Sequence, residues 1–194
     1  MSDFLETIKA VDGKVLNLKY HQKRYENTLN SLKCDDIKQL SEYLHPPKNG
    51  VCKCRVIYNE KDISVEYEEY KKRDISTFKL IFNNDIEYDK KSLQRESIDA
   101  LYQQRGECDE ILIIKNLLVS DTSIANIAFW DNDIGVWITP KKPLLKGTTR
   151  ERFLDSNKVI EVDIGVHELR RFTKVALLNA MVEFDILEDF EFVI

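Results

Sequence analysis

Residues 86–101 read IEYDKKSLQRESIDAL. A short apolar run gives way to two adjacent lysines, Lys90 and Lys91, and then to a segment with helical spacing, with Arg95 four residues after the second lysine. A lysine pair at such a junction is ordinarily a solvated turn, because Lys is seldom buried. Whether either lysine does chemistry depends on what the rest of the chain sets around it.

The bulk numbers bound the class. A chain of 194 residues is long enough to bury a real core, as one large domain or two small ones. Hydrophobic residues at 43% and charged residues at 32% are ordinary for a soluble globular protein. The net charge is −5 and the pI about 5.4. No basic face stands out, which disfavours nucleic-acid binding. No apolar run is long enough to span a bilayer and no signal-peptide core follows Met1, so a cytoplasmic protein without a membrane partner is expected.

Cys34, Cys52, Cys54 and Cys108 do not make a disulfide framework. Cys52 and Cys54 lie two apart in VCKCRVIY, which alternates like a strand and points both to one face. His21, His45 and His167 show no ligand spacing around them, so reduced, buried thiols are expected and no metal site.

A pass along the chain gives a two-part α+β organisation. Residues 4–18 read as two strands around the turn VDGK. YHQKRYENTLNSL has a helical pattern, and DDIKQLSEYL predicts a second helix with Asp35 or Asp36 as N-cap, stopped by HPPKNG. VCKCRVIYN and ISVEYEEY predict a second hairpin, and KKRD at 71–74 a charged linker. The expected domains are 1–73 and 74–194. In the second, TFKLIFN opens as a strand, SLQRESIDALYQQRG is a helix ended by Gly106, and EILIIKN, LLVSD, NIAFWD and GVWITP follow as short strands. TTRERFLDSN and VHELRRFTKVALLNAM read as later helical segments.

Four segments then matter together. LETIKAVDGKVLNLKYHQKRYENT holds His21 and Arg24 as H-x-x-R, and YDKKSLQR holds Lys91 and Arg95 as K-x-x-x-R. VSDTSIANIAF has Asp121 five residues before Asn126, and TPKKPLLKGTTRERFL contains Leu145 to Arg150 as LKGTTR. In this order the set resembles the class IV aminotransferases, the pyridoxal-phosphate enzymes of fold type IV. That family includes branched-chain aminotransferases, D-amino-acid aminotransferases and aminodeoxychorismate lyases. The resemblance runs from about Phe4 to Met181. It implies a two-domain fold like that of D-amino-acid aminotransferase, with a shortened N-terminal domain, and a homodimer.

The resemblance also implies roles. Lys91 matches the lysine that carries the cofactor, with Lys90 an exposed neighbour. Such a lysine must lose its proton near neutral pH, and burial or nearby positive charge would achieve that. Asp121 stands where members usually have a glutamate on the cofactor's ring nitrogen; a carboxylate there keeps the nitrogen protonated and the ring electron-withdrawing. SDTS is also good turn chemistry. Arg24 matches the arginine on the cofactor phosphate, whose planar fork suits that group; a surface arginine on a charged helix is the plainer reading. Leu145 would press on the ring face. Thr148 and Thr149 match a phosphate-holding helix start, and Thr148 with Glu151 also reads as a capping box. Asn179 and Ala180 match the last phosphate-side loop, in the form the lyases carry.

Thr7 falls where the lyases carry a threonine near the cofactor, although a strand threonine is common in any case. Arg55 is the candidate for binding a substrate carboxylate. The activity this implies is a 4-amino-4-deoxychorismate lyase of folate synthesis, releasing pyruvate and p-aminobenzoate with Lys91 and Thr7 as catalytic groups. The alternatives are a branched-chain or D-amino-acid aminotransferase with the same lysine and cofactor, or a relative that binds without turnover.

Overall fold

A computed structural model describes residues 3–194. They divide into two compact units: the chain up to Lys72 together with Lys90–Gln94, and Arg73–Asp89 together with Arg95–Ile194. Among the described residues no helix is long and apolar enough to cross a membrane.

In the first unit, β1 (Phe4–Val11), β2 (Lys14–Val15), β3 (Val51–Tyr58) and β4 (Ile63–Glu69) form an antiparallel sheet in the order β2-β1-β3-β4. The turn between β1 and β2 is the one expected from VDGK. Asp12 and Gly13 take φ of 47° and 77°, and a two-residue hairpin with positive φ at both positions matches the strands' own twist. Helix α1 (Leu18–Ser31) covers one face of this sheet. Its buried residues Tyr20, His21, Tyr25, Thr28 and Leu29 recur at steps of about four, a single stripe along the helix. Ile8, Val56 and Cys54 meet that stripe from the sheet. Cys52 and Cys54 are buried and reduced on this face, as the strand alternation implied.

The helix expected over 35–44 does not form; only a 3-10 turn, Leu40–Glu42, exists there. The reason is competition from α1. Gln22 Nε2 donates to the Lys38 carbonyl and Gln22 Oε1 accepts from Leu40 N–H, while Tyr25 Oη accepts from Lys38 N–H. Backbone groups that would build the helix are spent on side chains, and neither Asp35 nor Asp36 caps anything.

The second unit is layered. One sheet has the order β13-β5-β6-β7, from β5 (Thr77–Phe82), β6 (Glu110–Lys115), β7 (Leu118–Thr122) and β13 (Glu191–Val193). The other has the order β10-β9-β8-β11-β12, from β8 (Asn126–Asp131), β9 (Val136–Pro140), β10 (Val159–Val162), β11 (Val175–Asn179) and β12 (Glu183–Leu187). Phe78, Leu112, Ile114, Ile127, Phe129, Val175 and Leu177 fill the space between the sheets. Helix α2 (Glu96–Tyr102) packs Ile98 and Leu101 on the outer face of the first sheet, against Ile111 and Ile113. Helix α3 (Thr148–Asp155) packs Phe153 on the outer face of the second. Strand β6 is thus buried on both faces, which is why EILIIK is apolar without alternation.

VHELRRFTKVALLNAM is not a helix. It begins as a 3-10 turn, Val166–Arg171, and then becomes β11, a central strand between β8 and β12. A short apolar run such as VALL fits a buried strand as well as a helix, and pairing on both sides settles it.

Candidate active site

In the first unit, Lys91 is fixed through its backbone. Leu5 N–H donates to the Lys91 carbonyl at 2.8 Å, Phe4 and Ser92 form a β-bridge, and Leu93 N–H donates to the Asp3 carbonyl at 3.0 Å. The segment extends the sheet along the half of β1 that β2 does not reach. Lys90 was expected on the surface, yet both lysines are half-buried. Exposure therefore does not distinguish them. Lys91 is, however, close enough to bear electrostatically on buried His21, and its positive charge contributes to holding the imidazole neutral.

Arg24 projects from α1 into a buried network. Its Nε and Nη2 donate to the two oxygens of Glu6 at 2.7 and 2.6 Å, a side-on bidentate pair. Glu6 is fully buried on β1, and its Oε2 also lies 2.6 Å from His21 Nδ1. Burial pushes the Glu6 carboxyl up, but the Arg24 charge and the bonds from His21 and Arg24 outweigh it and hold the group at about 2. Burial pushes His21 down more than Glu6 pushes it up. His21 is thus a neutral imidazole, and because ionised Glu6 can only accept, Nδ1 carries the hydrogen. The side-on pairing fixes the guanidinium plane and turns its Nη1 end away from Glu6. The sequence motif pairs His21 with Arg24 but does not show Glu6, the carboxylate that joins them. The signal was a glutamate at an alternating position of β1 that should have been apolar.

Thr7 sits on the opposite face of β1 from Glu6, half-buried, directly across from Arg55 on β3. Arg55 is engaged by its own chain: its Nη1 donates to Glu66 at 2.9 Å and to Glu68 at 3.2 Å on β4. Nothing in this arrangement supports a duty toward a substrate carboxylate.

In the second unit, the turn from Asp121 to Asn126 joins β7 to β8. Asp121 is 4% exposed. Its Oδ2 accepts from Leu145 N–H at 2.9 Å and its Oδ1 from Asn126 Nδ2 at 2.7 Å. Burial nevertheless pushes the carboxyl up to about 6, against those bonds and the charge of Arg150. The turn is pinned on all sides: Ser123 N–H donates to buried Glu110, Arg95 Nη2 donates to the Ser123 carbonyl at 2.9 Å, and Thr122 Oγ1 accepts from Ala125 N–H. Arg95 of the K-x-x-x-R motif thus supports the loop behind Asp121.

The segment from Leu145 leads into α3. Gly147 is the N-cap in an extended conformation, and Thr148 and Thr149 are the first two helical residues, both buried. The capping box expected of Thr148 and Glu151 is not formed, because Thr148 already lies inside the helix and no side chain caps it. The first-turn N–H groups of any helix lack intrahelical partners, so this end suits an anion. Asn179 closes the turn after β11: its Oδ1 accepts from Met181 and Val182 N–H, and its Nδ2 donates to the Ile124 carbonyl. Ala180 lies in that turn, half-buried.

In each unit by itself, the groups present suit a part of pyridoxal phosphate. A buried carboxylate whose pKa rises despite two hydrogen bonds is a carboxylate in want of a cation, which a protonated ring nitrogen supplies. Taken by itself, the first unit offers a guanidinium held in plane by Glu6, and the second a buried helix start, and each is chemistry that suits an anion.

The profile of the amino-transferase class IV family matches residues 3–184. An uncharacterized protein of Haemophilus influenzae (strain ATCC 51907 / DSM 11121 / KW20 / Rd) is 36% identical over 187 residues, covering 93% of this chain and 98% of that protein. The crystal structure of a proposed 4-amino-4-deoxychorismate lyase from Haemophilus somnus 129pt is similar with a TM-score of 0.83 at 34% identity, covering 93% of this chain and 97% of that one. A hypothetical aminotransferase from Mycobacterium tuberculosis, in its PLP-bound form, shares the fold with a TM-score of 0.79 at 13% identity, over 98% of this chain and 81% of that one.

Proposed function

From the premise that this chain belongs to the class IV aminotransferases and is a pyridoxal-phosphate-dependent enzyme, we propose that it is a 4-amino-4-deoxychorismate lyase that releases pyruvate and p-aminobenzoate. The observation that carries the choice is the attachment of the lysine segment to β1. The strand whose Leu5 amide binds the Lys91 carbonyl presents Thr7 two residues later, so one rigid element governs both the lysine and a hydroxyl. The likeness to the Haemophilus somnus protein points the same way.

In this reading Lys91 would be the covalent anchor for the cofactor and, once the substrate amino group has displaced it from that bond, the base. Its Nζ takes the proton from the carbon bearing the substrate amino group and returns one to the enolpyruvyl methylene, so that aromatisation expels pyruvate. Thr7 Oγ1 assists the second transfer. Bound pyridoxal phosphate supplies the electron sink for the charge developing at that carbon. Asp121 holds a positive charge at the ring nitrogen, and Leu145 covers the ring face. Arg24, the start of α3 at Thr148 and Thr149, and the Asn179–Ala180 turn hold the phosphate. The same reading carries a homodimer, a cytoplasmic location and a place in folate synthesis. An amino-acid aminotransferase uses the same lysine and cofactor and is the second reading, and a relative that binds without turnover is the third.

The test is to incubate purified protein, loaded with pyridoxal phosphate, with aminodeoxychorismate and no 2-oxo acid. Pyruvate and p-aminobenzoate are the expected products. Turnover only with an amino acid plus a 2-oxo acid would replace the lyase with an aminotransferase, and no turnover with either would leave a binding protein. Borohydride reduction and peptide mapping should place the pyridoxyl group on Lys91; a label on Lys90 overturns that assignment.

A further inference from the structure

The buried amide of Asn126 has no place in the reaction outlined above, yet it touches two of the parts that reaction needs. Its Nδ2 donates to Asp121 Oδ1 at 2.7 Å and to the Leu145 carbonyl at 2.8 Å. Leu145 N–H in turn donates to Asp121 Oδ2. The three groups close a ring in which one side-chain amide bridges a carboxylate and the backbone that binds the same carboxylate. Asn126 is only 5% exposed, at the first position of β8.

The orientation of this amide follows from its neighbours. Both groups facing Nδ2 are acceptors, so a flipped amide would set oxygen against a carboxylate and a carbonyl. With Nδ2 so directed, Oδ1 faces the turn into α3. A Cβ added at Gly147 would fall well inside contact distance of that oxygen, closer than any real side chain approaches. Gly147 has φ of −70° and ψ of 143°, which every residue adopts. Backbone strain therefore does not explain a glycine there; the close approach of Asn126 does.

We propose that Asn126 is the positioning residue that locks the Asp121 carboxylate to the Leu145–Gly147 turn, and that this contact is why residue 147 is glycine. The proposal rests on the reading that Asp121 and the start of α3 bind one pyridoxal phosphate. Asp121 reaches the ring and α3 reaches the phosphate, so their spacing must be held to the length of the cofactor. Asp121 and Asn126 are joined by a pinned turn, and Asn126 carries that rigidity across to residues 145–147. The short aspartate side chain makes the lock more important, because it has one torsion fewer than glutamate with which to adjust.

A double-mutant cycle with two readouts tests this. Pyridoxal phosphate affinity is measured by titration, and the Asp121 carboxyl by carbon NMR in the cofactor-free protein. Gly147→Ala alone should weaken cofactor binding about ten- to a hundredfold, since a misplaced buried contact forfeits 1–3 kcal/mol or thereabouts. In an Asn126→Ala background, where Oδ1 is gone, the same Gly147→Ala change should cost less than about threefold. Asn126→Asp keeps the shape but sets a second carboxyl against Asp121, so the Asp121 titration should move well above about 6. Strictly additive effects of the 126 and 147 substitutions would overturn the proposal. So would an Asn126→Asp protein in which the Asp121 titration stays in place and cofactor affinity is unchanged. Should Gly147→Ala alone fail to fold, recovery of a cooperative thermal transition in the protein that also carries Asn126→Ala reports the coupling, and no recovery overturns the proposal. If the unmodified protein binds no pyridoxal phosphate at all, the functional reading fails by itself, and the NMR and melting cycle then decide Asn126 alone.

Discussion

Glu6 and Arg24 are joined side-on, Nε to Oε1 at 2.7 Å and Nη2 to Oε2 at 2.6 Å, with the carboxylate wholly out of solvent. A buried pair of this kind is worth little over an apolar replacement, but removing one partner strands the other. Glu6→Gln should therefore cost about 3 kcal/mol of stability, read from urea unfolding at neutral pH. It should also weaken pyridoxal phosphate binding, because Arg24 loses the plane that Glu6 imposes. Arg24→Lys keeps the charge and loses the fork; cofactor affinity should fall about tenfold. Unchanged affinity in both variants would make Arg24 a structural residue.

Acidification should strike this network twice. Glu6 is held at about 2, below the usual carboxylate value, so its contribution is full above the unfolded pKa near 4.5 and is lost as pH falls from there toward 2. His21 is depressed below 6.5, so the unfolded chain takes up the proton first, and stability also falls as pH drops below about 6.5. Urea midpoints across pH 3–7 should decline toward acid, and Glu6→Gln should flatten the lower part of the curve.

Asp121 should behave in the opposite sense. Its folded pKa is raised to about 6 from 3.8, so the native state holds a proton that the unfolded chain has released, and ionisation between those values destabilises the cofactor-free protein as pH rises. The shift corresponds to about 3 kcal/mol. The ionised form is the one that pairs with a protonated ring, so cofactor affinity should increase as pH rises through about 6. Asp121→Asn should abolish that rise while collapsing turnover. An unaltered pH profile in the variant would place the titration elsewhere.

Asp109 predicts stability without function. Its Oδ2 accepts from Ser76 N–H and Oγ–H and from Thr77 N–H and Oγ1–H, all between 2.9 and 3.1 Å, stapling the start of β5 to that of β6. Those bonds, led by the Ser76 amide, hold the carboxyl at about 2. Asp109→Ala should lower the unfolding free energy by about 1–3 kcal/mol, with cofactor affinity intact.

Thr7 should separate the two activities. A helper to the main acid is worth about a hundredfold or less. Thr7→Val should slow pyruvate release by that order, beyond any change in cofactor binding, while a half-transamination with an ordinary amino acid stays nearly intact. Equal loss of both rates would reduce Thr7 to part of the pocket wall.

Local patterns carried much of this protein in the sequence. The Asp12–Gly13 turn needs positive φ at two positions, and few residue pairs take it. The alternation through Cys52 and Cys54 and the four-residue stripe of α1 follow from strand and helix periods alone. The order of H-x-x-R, K-x-x-x-R, the Asp121 turn and LKGTTR was enough for the family. What needed the tertiary structure was every choice made by a distant partner. Residues 35–44 had the spacing of a helix and lost it to Gln22 and Tyr25 of α1. Residues 175–179 became a strand because β8 and β12 flank them. Glu6 on Arg24 and Asn126 across Asp121 and Leu145 are contacts between residues 18, 5 and 19 positions apart. A period describes what one segment prefers. A buried charge or amide is decided by which partner the fold delivers to it, because in the interior only that partner can replace water.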